Sequence, residues 1–158
     1  MVDYLAVACA VGSGLMAGFL FAFSNCVMKA LGRLPREQGI AAMQAINVAV
    51  INRWFLSVFF GSAALCVAAT GGAFVRSTGA GAWLMLAGSA LYVVGTIGVT
   101  VRFNVPGNDA LASIEPSSVE GARVWVEYLA RWTAWNHIRA VAAVAATTLF
   151  VLGRQSWA

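Results

Sequence analysis

Three long stretches of this chain carry no charged side chain: Tyr4 to Met28, Trp54 to Val75, and Ser77 to Val101. Wound as helices at about 1.5 Å per residue, each can cross the roughly 30 Å hydrocarbon core of a bilayer. Inside lipid the backbone must satisfy its own hydrogen bonds, which leaves helices or closed barrels. Barrel strands alternate polar and apolar positions, and runs such as AALCVAA do not. The chain is therefore expected to be all-α: an integral membrane four-helix bundle in a single domain over residues 1–158. The expected spans are about 4–28, 54–75, 78–101 and 132–153. Arg139 interrupts the fourth, and the apolar run after it is too short to cross alone, so that helix should begin before Arg139.

Composition agrees. Of 158 residues 61% are hydrophobic and 10% charged, against about 25% charged in soluble domains, and mean hydropathy is +0.80. One small core could not hide so much apolar side chain. The first span is not read as a cleaved leader, because Asp3 stands where a basic region belongs and the apolar run is too long. The residues before Cys9 only faintly resemble a lipoprotein cleavage site. Cys9, Cys26 and Cys66 form no CxxC pair and are read as small hydrophobes within the spans.

Lys29, Arg33, Arg36 and Arg53 lie between spans one and two, and Arg102, Arg123 and Arg131 between spans three and four. Only Arg76 and Arg154 lie on the opposite side. Such an excess places both long loops in the cytoplasm and both termini outside. The basic residues serve as anchors, and no basic stripe interleaved with exposed aromatics suggests nucleic acid.

The first span carries Gly14 and Gly18 in a GxxxG pattern with Asn25 on the same face, and the third carries Gly81, Gly88, Tyr92 and Gly95 on one face. These two glycine faces are expected to meet, within the chain or across a homo-oligomer. Both long loops read as partly helical. Residues 37–52 are weakly polar and helical. In the second loop Pro106-Gly107 predicts a tight turn, and Ser117 with Glu120 predicts a capped helix start. That helix carries Trp125 and Trp132, rings suited to the headgroup level.

Candidate site residues are the carboxamides at the cytoplasmic ends of the spans and the segment WTAWNHIR. Asn25, Gln44, Asn47, Asn52, Asn104, Asn108 and Asn136 are costly so close to lipid; each either marks a site or ties helix ends together. Trp132, Asn136 and Arg139 share one helical face, whereas His137 points about 160° away from Arg139 on an ideal helix. His137 is the only histidine and reads either as a functional group or as an interface residue. Arg139 reads either as a ligand-binding cation or as an arginine snorkelling to the headgroups.

FSNCVMKALGRLP, AAMQAIN, FNVPGND and WTAWNHIR, in this order between four spans, resemble the anthrone oxygenase-like membrane proteins. Some members of that family oxidise an anthrone to an anthraquinone; most bacterial members have no known activity. The resemblance implies an oxygenase-like protein acting on a hydrophobic phenolic, anthrone-type or quinone-like molecule. Its matching positions are Asn25, Gln44, Asn47, Asn104, Pro106, Asn108, Trp135, Asn136, His137 and Arg139, with no catalytic role carried over.

The chemistry asks for a base and an oxyanion site. His137 is the candidate base, and Arg139 with Asn136 the candidate oxyanion donors; Asn25, Gln44, Asn47, Asn104, Asn108 and Trp135 are candidate substrate- or cofactor-binding residues. No HExxH, Cys/His cluster, P-loop or dinucleotide-binding pattern occurs, so no multi-ligand metal site is expected. The cofactor stays open between none and haem, for which His137 would be the axial ligand. The competing class is a non-enzymatic module: a haem, lipid or quinone binder, or an accessory subunit. Transport has least support, since no inverted repeat is visible.

Overall fold

The computed structural model describes residues 2–156. Five helices account for almost all of them: α1 (Val2–Leu31), α2 (Arg36–Ala49), α3 (Arg53–Arg76), α4 (Ala80–Ala112) and α5 (Val119–Gln155). Among the described residues there is no strand. Helices α1, α3, α4 and α5 are long and apolar enough to cross a membrane, which makes the chain an integral, multi-pass membrane protein.

The four long helices form a closed square. α1 packs against α3 and α5, and α4 packs against the same two, so α1 and α4 lie on a diagonal. The expected meeting of two glycine faces within the chain is therefore corrected. The α4 glycines face α5 instead: a Cβ built at Gly95 would lie 2.6 Å from the Ala142 Cβ, and one at Gly88 would lie 2.9 Å from the Phe150 ring. Backbone approach of this kind needs small residues. Gly14 meets only Thr147, at 3.7 Å, and Gly18 meets nothing within 4 Å. The GxxxG pattern of α1 is not a helix-packing surface within this chain.

Two apolar cores stack along the bundle. One gathers Cys9, Met16, Phe59, Cys66, Met85, Tyr92, Ala146 and Phe150. The other, at the end carrying the long connections, gathers Met28, Leu31, Ile40, Met43, Leu111, Trp125, Tyr128 and Trp132. The second core exists because α5 has 37 residues, about 55 Å of helix, and its first turns reach beyond the bilayer-spanning part. There α2 lies across them, with Gly39 against the Trp125 ring.

The Pro106-Gly107 turn is also corrected, since Val105–Ala112 is α-helical and continues α4. Pro106 has no N–H to return to the preceding turn, and its ring crowds the carbonyl four residues back. Just before it α4 widens into a π turn at Thr100–Asn104, a common response at such points, and a separate π stretch lies at Leu91–Gly98. The cap of α5 lies one residue later than expected: Ser118 Oγ accepts from Gly121 N–H at 2.9 Å, while Glu120 pairs with Arg123. Another π turn, Phe23–Val27, interrupts α1.

Candidate functional site

Between the two cores lies a polar layer. Reading along α1, Met16 belongs to the first core and Met28 to the second, with Ser24 between them. Along α4 the sequence is Tyr92, then Thr96, Thr100 and Asn104, then Leu111; along α5 it is Ala146, then Arg139 and Asn136, then Trp132. Three helices thus change from apolar to polar and back at one level.

Arg139 is the centre of this layer and is 6% exposed. Its Nη2 donates to Asn136 Oδ1 at 2.6 Å and its Nη1 to Thr100 Oγ1 at 3.0 Å. The guanidinium lies 5.1 Å from the centre of the Trp132 ring, a favourable cation–π placement. Arginine can only donate, so Asn136 must present its oxygen here. Its Nδ2 then points to α1 and donates to Leu20 O at 2.8 Å and to Ser24 Oγ at 2.7 Å. Thr100 passes its own proton to Thr96 O at 2.7 Å.

No carboxylate among the described residues pairs with Arg139. A buried charge without a counterion is costly, and this one keeps a free donor, because Arg139 Nε has no partner. Asn104, 1% exposed, donates through Nδ2 to Trp132 O at 3.2 Å and leaves Oδ1 unsatisfied. Asn47, on α2 near Tyr128, has a buried Nδ2 with no hydrogen-bond partner among the described residues. Native interiors rarely leave such atoms unpaired unless something else meets them. A positive charge with a spare donor suits an oxyanion, and the spare acceptor on Asn104 suits a hydroxyl.

The remaining candidates divide among other places. Asn108 Oδ1 accepts from Tyr128 Oη at 2.9 Å and from Trp132 Nε1 at 2.8 Å, which joins it to the rim of the polar layer. Gln44 Nε2 donates to Leu111 O and Ile114 O, both at 2.9 Å, and so caps the end of α4. Asn52 caps α3, its Oδ1 accepting from Trp54 and Phe55 N–H. Trp135 stacks on Phe103, ring centres 3.6 Å apart and planes 5° from parallel.

Asn25 and His137 are exposed. They line an open groove of about 720 Å³ on the flank between α1 and α5, with Lys29 and the buried Ser24. The structure thus separates His137 from Arg139, as their helical spacing requires. Ser24 alone belongs to both places, lining the groove and holding Asn136.

Ser24, Thr96, Thr100 and Tyr128 were not singled out in the sequence. Thr96, Thr100 and Asn104 recur every four residues in an otherwise apolar span, and that polar stripe is the signal that could have found them.

The family model for anthrone oxygenase matches residues 52–149. The match takes in FNVPGND and WTAWNHIR and stops short of the two motifs in α1 and α2. No curated protein and no solved structure matches the chain. With a polar layer built from matched segments of α4 and α5, and with more than half of its length covered, the chain belongs to the anthrone oxygenase family.

Proposed function

We propose that this chain is a membrane-embedded oxygenase that takes a hydrophobic phenol or anthrone-type molecule from the bilayer and holds its developing oxyanion at Arg139. The observation that carries this reading is the buried guanidinium with no carboxylate partner among the described residues, in the same polar layer as the unsatisfied Asn104 Oδ1. Ionising an anthrone leaves negative charge on its carbonyl oxygen, and donors already fixed in a low-dielectric site stabilise that charge without reorganisation. The electron-rich anion then reacts with dioxygen, and the overall change is anthrone plus O₂ to anthraquinone plus water. Arg139 is assigned the oxyanion, and Asn136, whose Oδ1 accepts from the guanidinium and whose Nδ2 is spent on Leu20 O and Ser24 Oγ, positions it. His137, across the helix, is at most a base acting through the groove. That groove, with Asn25, Lys29 and His137 on its walls, favours the second reading, a lipid or quinone binder without turnover.

Oxygen uptake by membranes containing the protein and a dihydroxyanthrone separates the two. The wild type should exceed spontaneous autoxidation, and Arg139→Gln should lose roughly 100-fold or more, as for removal of an oxyanion donor. A wild-type rate no faster than the uncatalysed one defeats the oxygenase reading.

For orientation we infer that the end holding the polar layer and α2 faces the cytoplasm, from the seven basic residues in the two long connections against Arg76 and Arg154. Reporter fusions at both termini should register the non-cytoplasmic side; a cytoplasmic signal from either would reverse the assignment.

A further inference from the structure

A second cavity, of about 420 Å³, opens between the Pro106 end of α4 and the first half of α5. Its walls are largely aromatic. Phe103 and Trp135, stacked face to face, line it together with Tyr128 and Trp132. Tyr128 and Trp132 cannot swing freely, because both donate to Asn108 Oδ1. The cleft is therefore walled by held rings, the arrangement that stacks a flat ligand at little entropic cost.

Charge at the cleft is one-sided. Arg131 is neutralised by Glu127 at 2.7 Å, whereas Arg102 has no carboxylate partner among the described residues and lies over the Phe103 ring at 5.2 Å. Charged side chains at the rim and aromatic ones within place the mouth at headgroup level, where amphipathic aromatics gather. Trp132 is shared with the polar layer, since the Arg139 guanidinium lies over its ring.

We propose that this cleft binds a planar fused-ring aromatic bearing an anionic oxygen, with the rings among Trp135, Trp132 and Tyr128 and the anion toward Arg102. The inference rests on the oxygenase reading only for the further step, that such a ligand bound here is the one delivered past Trp132 to Arg139. A volume of 420 Å³ falls within the usual range for small-molecule pockets, about 300–1,000 Å³, and accommodates three fused rings.

The test uses the full-length protein in phosphatidylcholine nanodiscs, titrated with an anthracene carboxylate and with neutral hydroxymethylanthracene. Probe emission sensitised by the tryptophans is followed. The carboxylate should bind saturably, and Trp135→Ala should weaken it about tenfold, in the range expected for loss of one stacking partner. Arg102→Gln should weaken the carboxylate about fivefold and leave the neutral probe unchanged. Gly107→Leu fills the cleft, and a thermal midpoint equal to that of the wild type guards against a misfolded variant. A Cβ there meets only Tyr128 and Trp132 carbons, at 3.8 Å or more, so the side chain fills the cleft without a clash and should abolish saturable binding.

Unsaturable uptake, or equal affinity in all three variants, means a probe dissolved in lipid and overturns the proposal. Saturable, variant-sensitive binding without oxygen uptake keeps the cleft and removes the oxygenase reading. Oxygen uptake whose KM is unmoved by Gly107→Leu does the reverse.

Discussion

Asn136→Asp is expected to leave the bundle folded and to abolish turnover. The substitution changes almost no volume and puts a carboxylate oxygen where Oδ1 now accepts from Arg139 Nη2 at 2.6 Å. At that distance in an apolar interior the two charges attract strongly, and a hydrogen bond assisted by one charge becomes a salt bridge. Ser24 Oγ, which now accepts from Asn136, can rotate and donate instead. The bond to Leu20 O is lost and a carboxylate oxygen would face that carbonyl oxygen, a local cost that the new ion pair with Arg139 offsets. Stability therefore holds or rises, while the positive charge that would meet a substrate oxyanion is neutralised from within. Oxygen uptake should fall by roughly 100-fold or more, with the thermal midpoint of the solubilised protein at or above that of the wild type. An unchanged rate would mean that the charge of Arg139 is not what the substrate uses.

Gly95→Leu should prevent assembly of the bundle. At Gly95 even a methyl group would lie 2.6 Å from the Ala142 Cβ, inside any real carbon–carbon contact. The opposing atom belongs to a side chain with nothing flexible to move aside, so α4 and α5 would have to separate. Overpacking a close interface costs typically 1–3 kcal/mol and sometimes more, and helices in lipid hold together largely by such packing. Separation would also pull Thr96 and Thr100 away from Arg139. The measurement is the yield of monodisperse protein in mild detergent and its thermal midpoint. Gly18→Leu is the control: nothing lies within 4 Å of its Cβ position, so it should behave as wild type. Equal behaviour of the two variants would show that the α4–α5 approach is not what holds the bundle.

The polar layer was partly legible before any fold was known. Trp132, Asn136 and Arg139 share a helical face by spacing alone, and their burial on one side of α5 follows from it. Asn104 was visible as a carboxamide beside the end of the third span. Ser24 and the two threonines were not, because a hydroxyl in a membrane helix can satisfy itself on its own preceding turn, as Thr100 does on Thr96. Gln44 and Asn25 stood beside Asn136 as equals in the sequence. One proves to cap a helix end and the other to face outward, and carboxamide chemistry is the same in all three.

What the sequence determined by itself is what lipid can read along one dimension: four apolar helices and the costly polar residues within them. It also determined the separation of His137 from Arg139, since residues two apart on a helix cannot share a face. Only the tertiary structure decided which helices are neighbours, that the α4 glycines serve α5, and that three helices bring their polar residues to one level around a guanidinium with no carboxylate partner among the described residues. The reason is physical. In water a hydrophobic face points inward, so its pattern reveals the core. In a bilayer the outside is as apolar as the inside, and the direction of each face is set by close packing and by hydrogen bonds between helices.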